Sequence, residues 1–157
     1  MQELTSFLAR RQQDKQTLTL VTGVFDVLHQ EHRLFLEKAK ETADLLLVGL
    51  ESDARVRRMK GEGRPTHDVV TRITNLRAWD LADEIFVLPE QFNKPEHHRQ
   101  LIRQIRPDFL AVSSHTAHQR EKAQILAEFG AKLLVVHEFN PAFSSTKIIS
   151  SQKKGNL

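Results

Sequence analysis

Two histidines three residues apart, His29 and His32, follow an apolar segment that ends near Gly23. At a helix start this spacing puts both imidazoles on one face. A helix N-terminus also presents unpaired N–H groups and the positive end of the dipole, which favour phosphate. Two imidazoles there can donate hydrogen bonds to phosphoryl oxygens, and Gly23 carries no side chain to keep a ligand off the backbone. An isolated His-x-x-His equally describes two surface histidines on an ordinary helix start, so the spacing alone leaves both readings open. A second pair, His115 and His118, has the same spacing. Four converging imidazoles would suit zinc or nickel without cysteine; the plainer account has His115 contacting a phosphate or ribose and His118 exposed on a helix. Ser144, Ser145 and Thr146 form a third candidate. With Ser144 as N-cap, hydroxyls and free N–H groups would make a second phosphate cradle, although Ser-Ser-Thr is also an ordinary cap.

The elements that must position these residues follow from periodicity. Residues 3–12 read as a polar helix and residues 18–24 as a buried strand. Leu34, Phe35, Lys38 and Ala39 fall at helical spacing, predicting an amphipathic helix over 32–42. The continuous apolar run 45–50 is that of a strand covered on both faces. A Gly- and Pro-punctuated stretch, 59–65, precedes a helix from about 69 to 81 and a third strand over 84–88. A helix over 97–105 is stopped by Pro107. Residues 109–112 and 132–136 are the last two strands, with a helix over 118–129 and Gly130 as its C-cap between them. Residues 144–149 read as the start of a final helix and the polar end as a frayed tail. The expected architecture is α/β: one Rossmann-like, doubly wound domain over 1–149 with a five-stranded parallel sheet, followed by a flexible tail over 150–157. In such sheets ligands bind beyond the carboxyl ends of the strands, where strand order reverses. The loops after strands one, four and five are therefore the places to look.

The string Gly23-Val24-Phe25-Asp26-Val27-Leu28-His29-Gln30-Glu31-His32 resembles the G-x-F-D-x-x-H-x-G-H signature of the cytidylyltransferase-like nucleotidyltransferases, the HxGH-type family. It is most similar to the nucleotidylyl domain of heptose-phosphate adenylyltransferases, with glycerol-3-phosphate cytidylyltransferase nearby, and the likeness runs from about Glu3 to Ile149. Three further segments fall in order. Arg58-Met59-Lys60-Gly61-Glu62-Gly63-Arg64-Pro65 is similar to the family's loop after strand two, which makes Lys60 the phosphate-reaching lysine. Arg72 stands where the family has a helix arginine that contacts acceptor or phosphate groups, and Phe143 to Ile149 resembles its S-[ST]-T-x-I element. Two departures fall in the nucleotide pocket. Glu31 replaces the glycine of H-x-G-H, and Ser113-Ser114-His115 replaces a glycine–aspartate turn after strand four. Glu31 is either compensation in a disused site, a side chain turned away, or a group that recognises a base amino group.

The resemblance implies transfer of a nucleotidyl group from ATP or CTP to a small phosphorylated acceptor, releasing pyrophosphate. It implies catalytic roles for His29, His32, Lys60 and Arg72, and nucleotide or phosphate contacts from Gly23, Val24, Phe25, His115, Ser144, Ser145 and Thr146. It also implies Mg²⁺, for which no carboxylate identifies itself as a ligand; Asp26 is expected to brace its loop. The alternative is a catalytically degenerate protein of the same fold that still binds a nucleotide or phosphate. A metal-dependent hydrolase built on the paired histidines is a third reading.

Composition narrows the partners. The 157 residues are 39% hydrophobic and 27% charged, which excludes disordered and collagen-like chains. No apolar run approaches the roughly 20 residues that cross a bilayer, and the start is too polar for a secretory signal. With no cysteine there is no disulfide or thiolate chemistry, so a cytoplasmic location is expected. A net charge of +3, no Tyr and one Trp suit a small anionic ligand better than nucleic acid. A homodimer fits the resemblance, although no stripe in the chain specifies an interface.

Overall fold

The computed structural model describes residues 2–138. In chain order these form α1 (Gln2–Gln13), β1 (Leu18–Gly23), α2 (Gln30–Lys40), β2 (Leu45–Leu50), α3 (Asp53–Lys60), α4 (Val69–Ala78), β3 (Glu84–Val87), α5 (Pro95–Ile105), β4 (Phe109–Ser113), α6 (Gln119–Ala127) and β5 (Lys132–His137). Ser144, Ser145, Thr146, the helix expected over 144–149 and the tail over 150–157 lie outside the described residues. Among the described residues, no helix is long and apolar enough to cross a membrane.

The five strands form one parallel sheet in the order β3-β2-β1-β4-β5. Successive strand residues point to opposite faces, and both faces are covered. On one side Leu18, Leu20, Leu47, Leu110 and Val112 pack with Leu4 and Phe7 of α1, Leu101, Ile102 and Ile105 of α5, and Ile125 and Leu126 of α6. On the other, Val21, Leu46, Val48, Leu50 and Ala111 meet Leu36 and Ala39 of α2 and Leu76 of α4. This is the expected doubly wound Rossmann-like layering. The chain runs outward from β1 to β3, then returns to place β4 on β1's other side. The order therefore reverses at the β1–β4 boundary, and a crevice opens beyond the carboxyl ends of those strands.

One element departs from the expectation. The residues before Gly61 are not loop but the helix α3, so Lys60 sits on its last turn rather than in a loop after β2. Val56 is its one buried residue, which leaves little periodicity to read. Its start is nevertheless marked: Ser52 caps it by accepting from the Arg55 N–H at 3.1 Å, and Asp53 complements the dipole in the first turn.

Candidate functional site

The first turn of the site is built by β1 running into α2. Phe25 adopts a left-handed backbone, φ 50°, which folds its ring back over Gly23. A Cβ on Gly23 would lie 2.8 Å from that ring, so the room at this glycine serves Phe25 before any ligand. His29 then caps α2 from an extended conformation, its Nδ1 accepting from the Glu31 N–H at 3.2 Å. In return the His32 Nδ1 accepts from the His29 N–H at 3.3 Å, a capping box made of two imidazoles. The rings stack with centroids 3.9 Å apart and 23° between planes, and Phe25 closes on His32 at 5.4 Å.

This geometry decides what the histidines offer. Because each Nδ1 accepts, each proton sits on Nε2, and the pair presents two Nε2–H donors. Both rings are neutral at pH 7. Burial lowers the His29 pKa, with Glu31 pulling it back. Burial pushes His32 down to about 3, reinforced by His29 and Lys60 and opposed by Asp26.

The lowered pKa of His32 makes stability depend on pH. The unfolded chain binds a proton near pH 6.5 that the folded His32 refuses until about 3. Its stabilising contribution is fully present above pH 6.5 and is lost as pH falls toward 3, with a slope of up to about 1.4 kcal/mol per pH unit. His98, lowered to about 4 chiefly by burial, acts in the same direction. Urea unfolding at pH 7.5, 6 and 5 should therefore show stability declining, and His32→Asn should flatten that decline. An identical pH slope in the variant would contradict a buried neutral His32.

Behind the histidines a carboxylate holds the turn. Asp26, 1% exposed, accepts from the N–H groups of Thr66 at 2.7 Å and His67 at 2.9 Å and from Arg64 Nε at 3.3 Å. Burial alone would raise its pKa, but those backbone donors and the Arg64 guanidinium hold it below the usual carboxylate value. Arg72 secures the same turn from beneath. It is fully buried and donates to His67 O at 3.1 Å, Val24 O at 2.9 Å and Asp53 Oδ1 at 2.7 Å. The structure does not bring Arg72 into the crevice with the other candidates. Its guanidinium is occupied by protein acceptors, which makes it a positioning residue.

The crevice is a cleft of about 340 Å³. Of the sequence candidates, Gly23, Val24, Phe25, His29, His32, Lys60 and His115 line it, as does Asp26. His115 is tied to Ser113 Oγ through Nδ1 at 2.8 Å. His118 is not in the lining; it sits in a left-handed conformation before α6. The four histidines thus do not converge, and no metal-holding group of three His, Cys, Asp or Glu exists among the described residues. Lys60 has its pKa lowered by partial desolvation and by Arg64, with Asp26 opposing.

Two charged or titratable lining residues, Lys122 and His137, belong to no motif in the sequence, and Arg64 falls in the 58–65 string without being singled out there. Lys122 enters from α6, its pKa lowered by burial, with the Glu51 charge opposing. His137 ends β5, one of the strand ends the topology singles out. Its Nε2 bonds Glu31 Oε2 at 3.0 Å, while Lys38 Nζ meets its Nδ1 at 3.0 Å. An ammonium only donates, so His137 Nδ1 accepts and its Nε2–H donates to Glu31. Glu31 therefore lies in the cleft, tied across to β5, rather than turned away.

The chain matches the family model described as Cytidylyltransferase-like over residues 20–153. It is 34% identical over 152 residues to the bifunctional protein HldE of Campylobacter jejuni subsp. jejuni serotype O:6 (strain 81116 / NCTC 11828), covering 97% of this chain and 30% of that protein. It is 34% identical over 151 residues to the bifunctional protein HldE of Helicobacter pylori (strain G27), covering 96% and 31%. The chain thus spans about 30% of the length of these curated relatives. Among solved structures, the lipopolysaccharide core biosynthesis protein from Thermoplasma volcanium GSS1 superposes with a TM-score of 0.65 at 19% identity, over 80% of this chain and 97% of that one. Pantothenate synthetase from Thermus thermophilus gives 0.61 at 11% identity, over 94% and 68%. At such identities these two show the fold alone. The family match takes in the His29–His32 turn, Lys60 and the ends of β1, β4 and β5 that line the cleft; this chain belongs to the cytidylyltransferase-like family.

Proposed function

We propose that this chain is a nucleotidyltransferase that moves a nucleotidyl group from ATP or CTP to a small phosphorylated acceptor. An oxygen of the acceptor phosphate attacks the α-phosphorus, the bond from that phosphorus to the β-bridging oxygen breaks, and pyrophosphate leaves. The observation that carries this reading is the stacked His29–His32 pair, with two Nε2–H donors in one cleft with Lys60 and Arg64. No covalent enzyme intermediate is required, so the protein contributes positioning and charge stabilisation. His29 and His32 donate to α-phosphoryl oxygens as charge builds there. Lys60 neutralises phosphate charge, joined by Arg64 and Lys122, and His115 contacts a phosphate or the ribose. Ser144, Ser145 and Thr146, outside the described residues, remain the proposed cradle for the β- and γ-phosphates. Family membership and the similarity to the HldE proteins support nucleotidyl transfer.

The family resemblance implies Mg²⁺. Among the described residues the donor set does not fit a protein-held site for it. Asp26 is consumed by two backbone N–H groups and Arg64, and Glu31 is engaged by His137. Asp26→Asn should lower stability by about 1–3 kcal/mol, the penalty for a disrupted buried network, and leave the divalent-cation dependence of activity unchanged. A shifted Mg²⁺ dependence would make Asp26 a ligand instead of a brace.

Pyrophosphate release from ATP and CTP tests the reading, with sugar phosphates, polyol phosphates and flavin mononucleotide as acceptors. Acceptor-dependent release supports it. A second reading, a degenerate nucleotide- or phosphate-binding protein, is favoured by Glu31 in the cleft and by the 113–115 turn, which has no carboxylate. It predicts binding without pyrophosphate release for any pair, and stronger nucleotide binding in Glu31→Gly.

A further inference from the structure

The cleft holds charges of both signs. Lys60 and Arg64 line it beside Asp26, Lys122 enters from α6 near Glu51, and Glu31 and His137 bridge α2 and β5. The stacked imidazoles stand among these groups, with Glu31 close to His29, and with Lys60 and Asp26 close to His32. Ser113 on β4 stands in register with His137, so the Glu31–His137 bridge adjoins the apolar residues Leu110, Ala111 and Val112 that line the cleft from β4. A ligand with an anionic tail and an uncharged ring has one favourable orientation here. Its phosphates go toward Lys60 and Arg64, and its ring toward β4 and Glu31, because a carboxylate repels phosphate oxygens.

Glu31 is fixed rather than loose. Lys38 holds the His137 tautomer, and His137 Nε2–H holds Glu31 Oε2, both at 3.0 Å. The Glu31 side chain is 15% exposed and that of His137 9%. Among the described residues, Oε1 takes no hydrogen bond. An ionised carboxylate only accepts, so the open oxygen rewards a donor and penalises another acceptor.

We infer that Glu31, oriented by His137 and Lys38, is a specificity-determining residue that selects nucleoside triphosphates whose base presents an exocyclic amino group over those presenting a carbonyl at the same position. The inference rests on the proposal that the cleft binds a nucleoside triphosphate. It gives the replacement of glycine by Glu31 a function: the carboxylate reads the base.

Two matched pairs isolate the group concerned. ATP and inosine triphosphate differ at position 6, amino against carbonyl; CTP and UTP differ in the same way at position 4. Calorimetric titration of the full chain with all four should show the amino member of the bound pair about tenfold or more tighter, as a charge-assisted hydrogen bond replaced by repulsion requires. Glu31→Gln keeps the acceptor for His137 but presents a neutral carboxamide that can turn either atom to the base. The ratio should then fall below about threefold, mainly by a gain for the carbonyl member. His137→Ala, which keeps the carboxylate but releases it, should also reduce the ratio. Equal affinities within both pairs for the unaltered protein, or an unchanged ratio in Glu31→Gln, would overturn this inference while leaving the nucleotide site intact. Failure of all four to bind would overturn the nucleotide reading itself and this inference with it.

Discussion

Pyrophosphate release by His32→Ala is expected to fall about 100- to 1000-fold, the usual effect of removing one preorganised donor from a developing anionic centre. The stacked arrangement makes the loss specific. His32 Nδ1 is committed to the His29 N–H, which leaves Nε2–H as its outward donor. Its proposed role covers the bound triphosphate and is stronger still in the transition state, so kcat should fall and KM should rise. Loss of either imidazole also removes the partner against which the other is stacked at 3.9 Å. The double variant His29→Ala/His32→Ala should therefore be far less impaired than the product of the two single effects. Both rings work neutral, so activity should not rise as pH drops through 6.5. Activity within about threefold of the unaltered protein would remove the pair from catalysis, since even weak acid–base or electrostatic roles exceed that.

Arg72→Met is expected to destabilise the protein by about 3–5 kcal/mol, the summed cost of three hydrogen bonds from one buried guanidinium, one of them to a carboxylate. For a chain of this size that lowers Tm by roughly 6–20 °C. The substitution leaves Val24 O, His67 O and Asp53 Oδ1 without the donors they share in one guanidinium. It thereby loosens the turn that carries Phe25 and Asp26. Arg72→Lys should recover little, because an ammonium cannot reproduce a planar fork serving three acceptors. Differential scanning calorimetry of both variants separates two roles. A positioning arginine costs stability in both, whereas a lysine variant as stable as the unaltered chain and merely inactive would point to a direct substrate contact.

The contrast between these residues shows where sequence is informative. The inner strands β1, β2 and β4 are legible because their apolar runs are buried on both faces, and burial writes itself into consecutive residues; the half-exposed edge strand β5 is legible only from its apolar run. The His29–His32 turn is legible because its whole geometry, cap, box and stack, lies within four positions. Arg72 reads as a possible phosphate contact because a helix arginine looks the same in sequence whether it faces solvent or protein. Its burial comes from acceptors at Val24 and Asp53, 48 and 19 residues away. His137 escapes notice for the same reason, its partner Glu31 being 106 residues distant. The helix α3 is hidden because a single buried valine gives no stripe, although Ser52 and Asp53 announce its start.

Glu31 concentrates the remaining question. Sequence leaves it as an obstacle, a bystander or a reader of the base. Its bond to His137 places it in the cleft and removes the bystander. Obstacle and reader now predict opposite results for Glu31→Gly: tighter binding of every nucleotide, or loss of discrimination between amino and carbonyl bases.

Every role proposed for this chain requires that the cleft beyond β1 and β4 receive a nucleoside triphosphate on the His29–His32 pair. A thermal-shift titration with ATP, CTP, GTP and UTP, each with Mg²⁺, puts that to the test, with His29→Ala/His32→Ala as the control. At 100 times its dissociation constant a ligand adds about 2.7 kcal/mol, which for this chain is a rise of roughly 5–10 °C. Such a rise is expected with ATP or CTP in the unaltered protein, and a much smaller one in the double variant. No rise with any triphosphate, or the same rise without the two histidines, would contradict a nucleotide site built on that pair.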